Sequence, residues 1–419
     1  MMQRLWLVAT QASSKLMGIL RTVVIAASFG TRLPAVAFIA ASGTVGIVVT
    51  VLDSAVTSAL IPVLAKVHYQ EGISRTNELA SEMVVYSGLL AVSVIGIVFA
   101  SGRLGAVFVP GLPSRGMAEF LNDLRILSIV TVPAGINAVL TAYLQVKGQY
   151  WWQGSVGLAP SAGVICALAL SSKGLYAAAW GNMAGWLVNA VIVASLAVRE
   201  GFRFRYRRGR SLAGIAGSTT AAVVGSGTYQ LGLVGDRIFS TLAGTSVLAE
   251  LSYANNIVGS LGGLISMALA TPIYGPITSA VVRNGTYPRR LAVKWLGIAL
   301  MISGAVGIGT GYFASEIVEA LYGRRRLGPG VSGAIAGVVG YMVGAVVGTS
   351  LSGVASRFVM AKSQMWLVSL TGGVGIASTV LIDALVWRPY GAVGIAIAGS
   401  VGSLVCGVGL GVVAICLGG

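Results

Sequence analysis

GTRLPAVAFIAASGTVGIVVTVLDSAVTSALIPVLAKV, residues 30–67, has a counterpart 214 residues further along: GTSVLAELSYANNIVGSLGGLISMALATPIYGPITSAV, residues 244–281. Each begins with Gly-Thr, at Gly30-Thr31 and Gly244-Thr245. Each carries a proline thirty-two residues later, Pro62 and Pro276, and ends on a valine, Val67 and Val281. Identity alone says little in a chain so rich in Ala, Gly and Val. The weight lies in a turn-forming Gly-Thr and a helix-distorting Pro that recur at one spacing. A chain of 419 residues that starts over near residue 215 reads as two homologous halves. Internal repeats of apolar segments are a mark of secondary transporters.

Composition names the solvent. Hydrophobic residues make up 56% of the chain and charged residues 10%, and the mean hydropathy is +0.86. Soluble domains carry about 25% charged residues, so this chain lacks the charge to cover a water-exposed surface. A helical span needs about 20 mostly apolar residues. Twelve such segments are expected, near 5–29, 34–66, 80–102, 121–146, 152–172, 175–198, 212–243, 246–282, 291–314, 331–361, 364–387 and 390–417. The first is too long and too polar for a cleaved signal peptide. The 59 glycines allow close helix approach, and no strand alternation of a porin kind is present. The expected fold is an all-α polytopic membrane protein, with two six-helix lobes around a central cavity. The lobes are residues 1–198 and 212–419, joined by a basic linker over 199–211.

Lys and Arg set the orientation. With the N-terminus inside, seventeen of them fall on cytoplasmic segments and nine on the outer side, which predicts both termini in the cytoplasm. Six spans per half give the halves the same orientation. The linker run Arg199-Glu200-Gly201-Phe202-Arg203-Phe204-Arg205-Tyr206-Arg207-Arg208-Gly209-Arg210 interleaves cations with aromatics. That pattern occurs on nucleic-acid-binding surfaces. In a membrane protein it reads better as a topology signal resting on anionic headgroups, with its aromatics at the interface. The net charge of +16 needs no nucleic acid and suits a protein that handles anionic lipids.

Enzymatic chemistry is poorly supplied. His68 is the single histidine, and Cys166, Cys406 and Cys416 stand apart without metal-ligand spacing. There is no P-loop, no GxSxG and no carboxylate cluster. The expectation is a protein that is not an enzyme and has neither cofactor nor metal site. Transport would then draw on an ion gradient, an electrical gradient or the substrate's own gradient. Attention falls on charges inside spans, each costing about 2.5–3.5 kcal/mol at a helix centre. Arg21 precedes Gly30 by nine residues, about 13 Å along a helix and near the midplane. Ser14 and Gly18 share its face, and Lys15 lies deeper toward the cytoplasm. Asp236 and Arg237 hold a comparable depth before Gly244. Asp53 falls midway along the second span and Glu250 near the start of the eighth. Each has two readings: a ligand or ion-coupling group, or half of a structural ion pair (for Lys15, snorkelling to the surface).

These residues also carry a family resemblance. Ser14-Lys15-Leu16-Met17-Gly18-Ile19-Leu20-Arg21, then Ala26-Ala27-Ser28-Phe29-Gly30 and Ala37-Phe38, resemble the start of the MurJ/MviN lipid II flippases. That family belongs to the multidrug/oligosaccharidyl-lipid/polysaccharide exporter superfamily. Ala59-Leu60-Ile61-Pro62-Val63-Leu64-Ala65, Gly235-Asp236-Arg237-Ile238-Phe239-Ser240 and Leu251-Ser252-Tyr253-Ala254-Asn255 resemble later phrases of it, in the right order. The pattern also departs from the family. Lys15 stands where relatives carry Arg, Thr22 and Val36 where they carry acids, Val48-Val49 where they carry a basic pair, and Asn255 where Arg is frequent. Many relatives have fourteen helices against the twelve expected here.

The resemblance implies a flippase of the inner membrane. It would carry an undecaprenyl-pyrophosphate-linked glycan precursor, lipid II or a relative, to the outer leaflet by alternating access. Arg21, Lys15 and Arg237 would bind the diphosphate beside Ser14 and Gly18. Asp53, Asp236 and Glu250 would be ion-coupling or ion-pair groups, with Na⁺ or H⁺ as coupling ion. Pro62, Pro133 and Pro276 would let helices bend. Other readings are a polysaccharide repeat-unit exporter, a cation-coupled drug antiporter of the same superfamily, and a non-transporting membrane scaffold.

Overall fold

The computed structural model describes residues 2–101, 103–149, 152, 156–171, 173–207, 232–323, 327, 329–362 and 364–418. Residues 212–231, which open the seventh expected span, and the end of the basic linker lie outside the described residues. The chain is an all-α polytopic membrane protein, with helices and no strand among the described residues. The helices are α1 (Met2–Phe29), α2 (Leu33–Ala100), α3 (Leu104–Phe108), α4 (Ser114–Ser128), α5 (Thr131–Val146), α6 (Leu158–Leu170) and α7 (Leu175–Arg199). After α8 (232–243) come α9 (Val247–Asn284), α10 (Arg289–Tyr312), α11 (Ala314–Tyr322), α12 (Pro329–Tyr341), α13 (Val343–Ala361) and α14 (Met365–Leu417).

Two of these are too long to be single spans. At 1.5 Å per residue, the 68 residues of α2 would reach about 100 Å and the 53 of α14 about 80 Å, against about 30 Å of hydrocarbon. Both break at a glycine in the left-handed half of backbone space. Gly72 has φ 83° and ψ −179°; Gly391, two residues after Pro389, has φ 52° and ψ −130°. A side chain at either position would be strained. Each long helix is thus two legs, as the separate expected spans 34–66 and 80–102, and 364–387 and 390–417, require. The fifth expected span is shorter than drawn, reduced to α6, and the tenth is divided at Met342 into α12 and α13.

The chain forms two compact units. Unit 1 comprises residues 1–24, 37–108 and 113–227; unit 2 comprises 25–36, 109–112 and 228–419. In unit 1, both legs of α2 pack on α5 and α7 around Leu60, Leu64, Leu79, Tyr143 and Val193. The contact of α6 with α7 is backbone on backbone. A Cβ on Gly163 would lie 3.0 Å from the carbonyl carbon of Gly181 and 3.2 Å from the nitrogen of Gly185. Small residues at such crossings are how membrane helices gain packing where lipid offers no hydrophobic driving force. The start of the basic linker is laced onto this unit. Phe202 is buried edge-on against Tyr143, with ring centroids 5.4 Å apart. Asn77 Nδ2 donates to the Gly201 carbonyl (3.0 Å), and the Arg205 amide donates to Ser81 Oγ (2.9 Å).

In unit 2, α9, α10, α13 and α14 enclose Ile277, Tyr287, Leu296, Val354, Phe358 and Leu410. Tyr287 Oη donates to the Ala414 carbonyl at 2.6 Å, and burial pushes its phenol up to about 12, so it stays a donor. The turn between α1 and α2 belongs to this unit. Tyr253 Oη donates to the Gly30 carbonyl (2.7 Å) and Tyr322 Oη to the Tyr253 carbonyl (3.0 Å). Buried hydroxyls mostly turn back on their own helix: Thr44, Ser81, Ser303 and Ser350 each donate to the carbonyl four residues earlier. That is the cheapest way to satisfy an O–H in hydrocarbon.

Candidate functional site

Unit 1 contributes α1. Ser14, Lys15, Arg21 and Thr22 stand in its central turns, in a stretch otherwise apolar from Leu16 to Leu20. Arg21 is half-buried, and its Nε is shielded from solvent with no hydrogen-bond partner among the described residues. An N–H of a guanidinium left unmatched in hydrocarbon costs several kcal/mol of lost solvation, and no described residue supplies the acceptor. One turn away, Gly18 faces open space: a Cβ there would touch nothing within 4 Å. Lys15 is exposed. Ser14 is committed to packing, its Oγ occupying the space beside Gly157 at the start of α6. Thr22 donates to the Gly18 carbonyl at 3.1 Å. Arg21, Lys15 and Gly18 stand on α1, while Ser14 serves the α1–α6 contact.

Unit 2 contributes α8 and the first leg of α14. Gly232 and Gly235 bring the two together: a Cβ on either would lie 2.9 Å from a methyl of Ile376 or Val380. The same ridge carries Asp236, and the facing ridge carries Asp383, one further turn along. Their carboxyl groups are close neighbours, and Asp383 is completely buried. Among the described residues, no N–H or O–H reaches Asp236 Oδ1 or either oxygen of Asp383. A carboxylate is an acceptor only, so two of them in contact need a proton or a cation between them. Arg237, next in the chain, keeps a buried guanidinium nitrogen without a partner among the described residues.

Asp383 was not among the residues expected from sequence. It stands 147 positions from Asp236 and is the one acid among the 53 residues of α14. That isolation was its signal, by the rule that picked out Arg21: a charge inside a span has a reason to be there.

The remaining expected residues are dispersed. Asp53 is half-buried midway along the first leg of α2. Glu250 is buried in the first turn of α9, where a negative charge offsets the positive end of the helix dipole. Pro133 sits in the first turn of α5, just after the two-residue break between α4 and α5; without an N–H it cannot continue the ladder across that break. The helix runs on through Pro62 and through Pro276, and the break in α2 comes ten residues after Pro62, at Gly72. Among the described residues, no group of three or more His, Cys, Asp or Glu side chains gathers into a metal site.

Comparison with known proteins agrees with this architecture. The family model of the lipid II flippase MurJ matches residues 25–415. Among solved structures, the inward closed conformation of the lipid II flippase MurJ superposes with a TM-score of 0.85 at 16% identity, over 95% of this chain and 84% of that one. An outward-facing multidrug resistance MATE family transporter of the MOP superfamily superposes with a TM-score of 0.72 at 13% identity, over 99% and 95%. A MOP superfamily transporter from Pyrococcus furiosus gives 0.68 at 14% identity, over 99% and 95%. At such identities the structural likenesses speak for the fold alone. No curated protein matches in sequence.

Proposed function

The chain belongs to the MurJ lipid II flippase family, and on that premise we propose that it moves a polyprenyl-pyrophosphate-linked sugar precursor, lipid II or a close relative, from the inner to the outer leaflet by alternating access. The observation that carries the reading is Arg21: a guanidinium near mid-membrane depth, with a buried N–H that no described residue accepts, one turn from the open face of Gly18. A diphosphate supplies the missing acceptor, and Arg binds phosphate with two parallel, charge-assisted hydrogen bonds. A polar, anionic headgroup cannot cross about 30 Å of hydrocarbon unaided, so the protein must offer it cations while the lipid tail stays in the bilayer. Lys15 would meet the headgroup nearer the surface, and Arg237 of unit 2 is assigned to the same class of ligand. Both termini and the linker are assigned to the cytoplasm, the linker's exposed Arg203, Arg205 and Arg207 resting on anionic headgroups.

The Asp236–Asp383 pair is assigned to ion coupling, since two neighbouring buried carboxyl groups would hold a proton or small cation between them. The same pair, with the likeness to MATE transporters, favours cation-coupled export of another solute as the second reading. The test is headgroup exposure of labelled lipid II in cells depleted of their own flippase and supplied with this chain. Restored exposure supports the proposal. A chain that inserts normally, leaves lipid II inside and exports a cationic dye would put the second reading in its place.

A further inference from the structure

The first two turns of α10 concentrate positive charge that meets no acidic partner among the described residues. Arg289, Arg290 and Lys294 are all exposed and, with Pro288 and Val293, line an open groove of about 740 Å³. No Asp or Glu occurs between Glu250 and Glu316 or between Glu319 and Asp383, so the flanking segments bring no counter-charge. The helix makes matters worse. Its N-cap, Pro288, offers no side-chain hydrogen bond, its first turn holds no acid, and two arginines stand at the end where a helix repels cations.

The segment is nonetheless held firmly. Lys362 Nζ donates to the Gly285 carbonyl (2.9 Å), Tyr287 Oη to that of Ala414 (2.6 Å), and the end of α14 passes beside Arg289 at Gly418. A rigid, uncompensated cationic groove is a preorganised anion site.

What lies above the groove says which anion. Arg290, Lys294, Gly297, Met301, Gly304 and Ile308 follow at three- and four-residue steps along one face of α10. Met301 and Ile308 are each 68% exposed. A Cβ on Gly297 or Gly304 would meet nothing within 4 Å. The face is therefore two cations at the end of a span, then an apolar track with two shallow notches rising into the hydrocarbon. That is the outline of a phospholipid: phosphate below, acyl chain above.

We infer that α10 carries a binding site for one anionic phospholipid of the bilayer, its phosphate between Arg290 and Lys294 and an acyl chain along Gly297, Met301, Gly304 and Ile308. The Lys and Arg bias places this end of α10 on the cytoplasmic side, so the lipid belongs to the inner leaflet. The site does not depend on which lipid-linked sugar the protein carries.

The full chain, purified in detergent, is titrated with phosphatidylglycerol, phosphatidylcholine or inorganic phosphate, and bound lipid is counted by native mass spectrometry alongside thermal unfolding. Phosphatidylglycerol should bind and stabilise, and phosphatidylcholine should do neither. R290Q with K294Q should weaken phosphatidylglycerol binding about 30-fold, two cations at about 1 kcal/mol each near an anionic surface. G297L with G304L, which fills the notches without touching the charges, should also weaken it. R388Q, a cation stacked on Trp387 elsewhere in unit 2, should leave it unchanged. Equal binding by the charge variant overturns the site, and equal binding by the glycine variant overturns the acyl track. Stabilisation by inorganic phosphate as large as by phosphatidylglycerol would make this an anion site with no lipid in it.

Discussion

Replacing Arg21 by Ala separates a ligand-binding cation from a structural one. On insertion scales a guanidinium at a helix centre costs about 2.5–3.5 kcal/mol, and among the described residues nothing accepts the hydrogen bond of its Nε. R21A therefore removes a cost without removing a contact to Nε, and the midpoint of thermal unfolding should stay level or rise. Function should collapse. Two parallel charge-assisted hydrogen bonds to phosphate, at about 1.5–3 kcal/mol each, amount to about 3–6 kcal/mol, a loss of roughly 10²- to 10⁴-fold in headgroup binding. R21K keeps the charge and loses the fork, so it should recover only part of that. The assay pairs headgroup accessibility of labelled lipid II in flippase-depleted cells with thermal unfolding of the purified variant. Full activity in R21A would refute the assignment. So would a fall of several degrees in R21A that Asp53→Asn reverses, because that behaviour belongs to an ion pair joining two helices.

Asp383→Asn leaves a neutral hydrogen bond to Asp236 but abolishes exchange of a proton or cation at the pair, so folding should persist while the dependence of transport on the proton or sodium gradient falls at least about tenfold; unchanged gradient dependence in vesicles would remove the pair from coupling. Gly181→Leu drives a side chain into the backbone of Gly163 and should destabilise unit 1 by about 1–3 kcal/mol or more, whereas Gly96→Ala, with nothing within 4 Å, should be neutral or stabilising by up to about 1 kcal/mol; unfolding of the two variants side by side checks the contrast. Phe202→Ala empties the space beside Tyr143 and should cost about 3 kcal/mol, releasing the Arg205 amide to rapid hydrogen exchange. An amide as protected as in the parent would mean that the linker is not anchored through that ring.

The amino-acid sequence by itself determined the solvent and the helical class of the chain. With 10% charged residues there is only one medium in which the surface is stable, and in that medium backbone groups must bond within their own segment, which leaves helices. Gly30 is legible as a turn from the repeated Gly-Thr, and it takes a positive φ that only glycine adopts without strain; Gly72 and Gly391 are marked as breaks only by their positive φ in the fold. Arg21 and Asp236 were legible as well, since an intramembrane charge is conspicuous in any apolar run. The tertiary structure decided which of these residues have company. Ser14 lies on the same helix face as Arg21, yet its hydroxyl is taken up beside Gly157. Phe202 reads as one aromatic in a basic linker, yet it is a core residue of unit 1. Asp236 reads as a ligand or half of an ion pair with no partner named, and the fold sets it against Asp383 from 147 positions away. Helical periodicity tells which face a side chain occupies; it carries no information about the helix that will face it. That pairing is set by where Gly232 and Gly235 allow α8 to lie against α14, a matter of shape that exists only once both helices are packed.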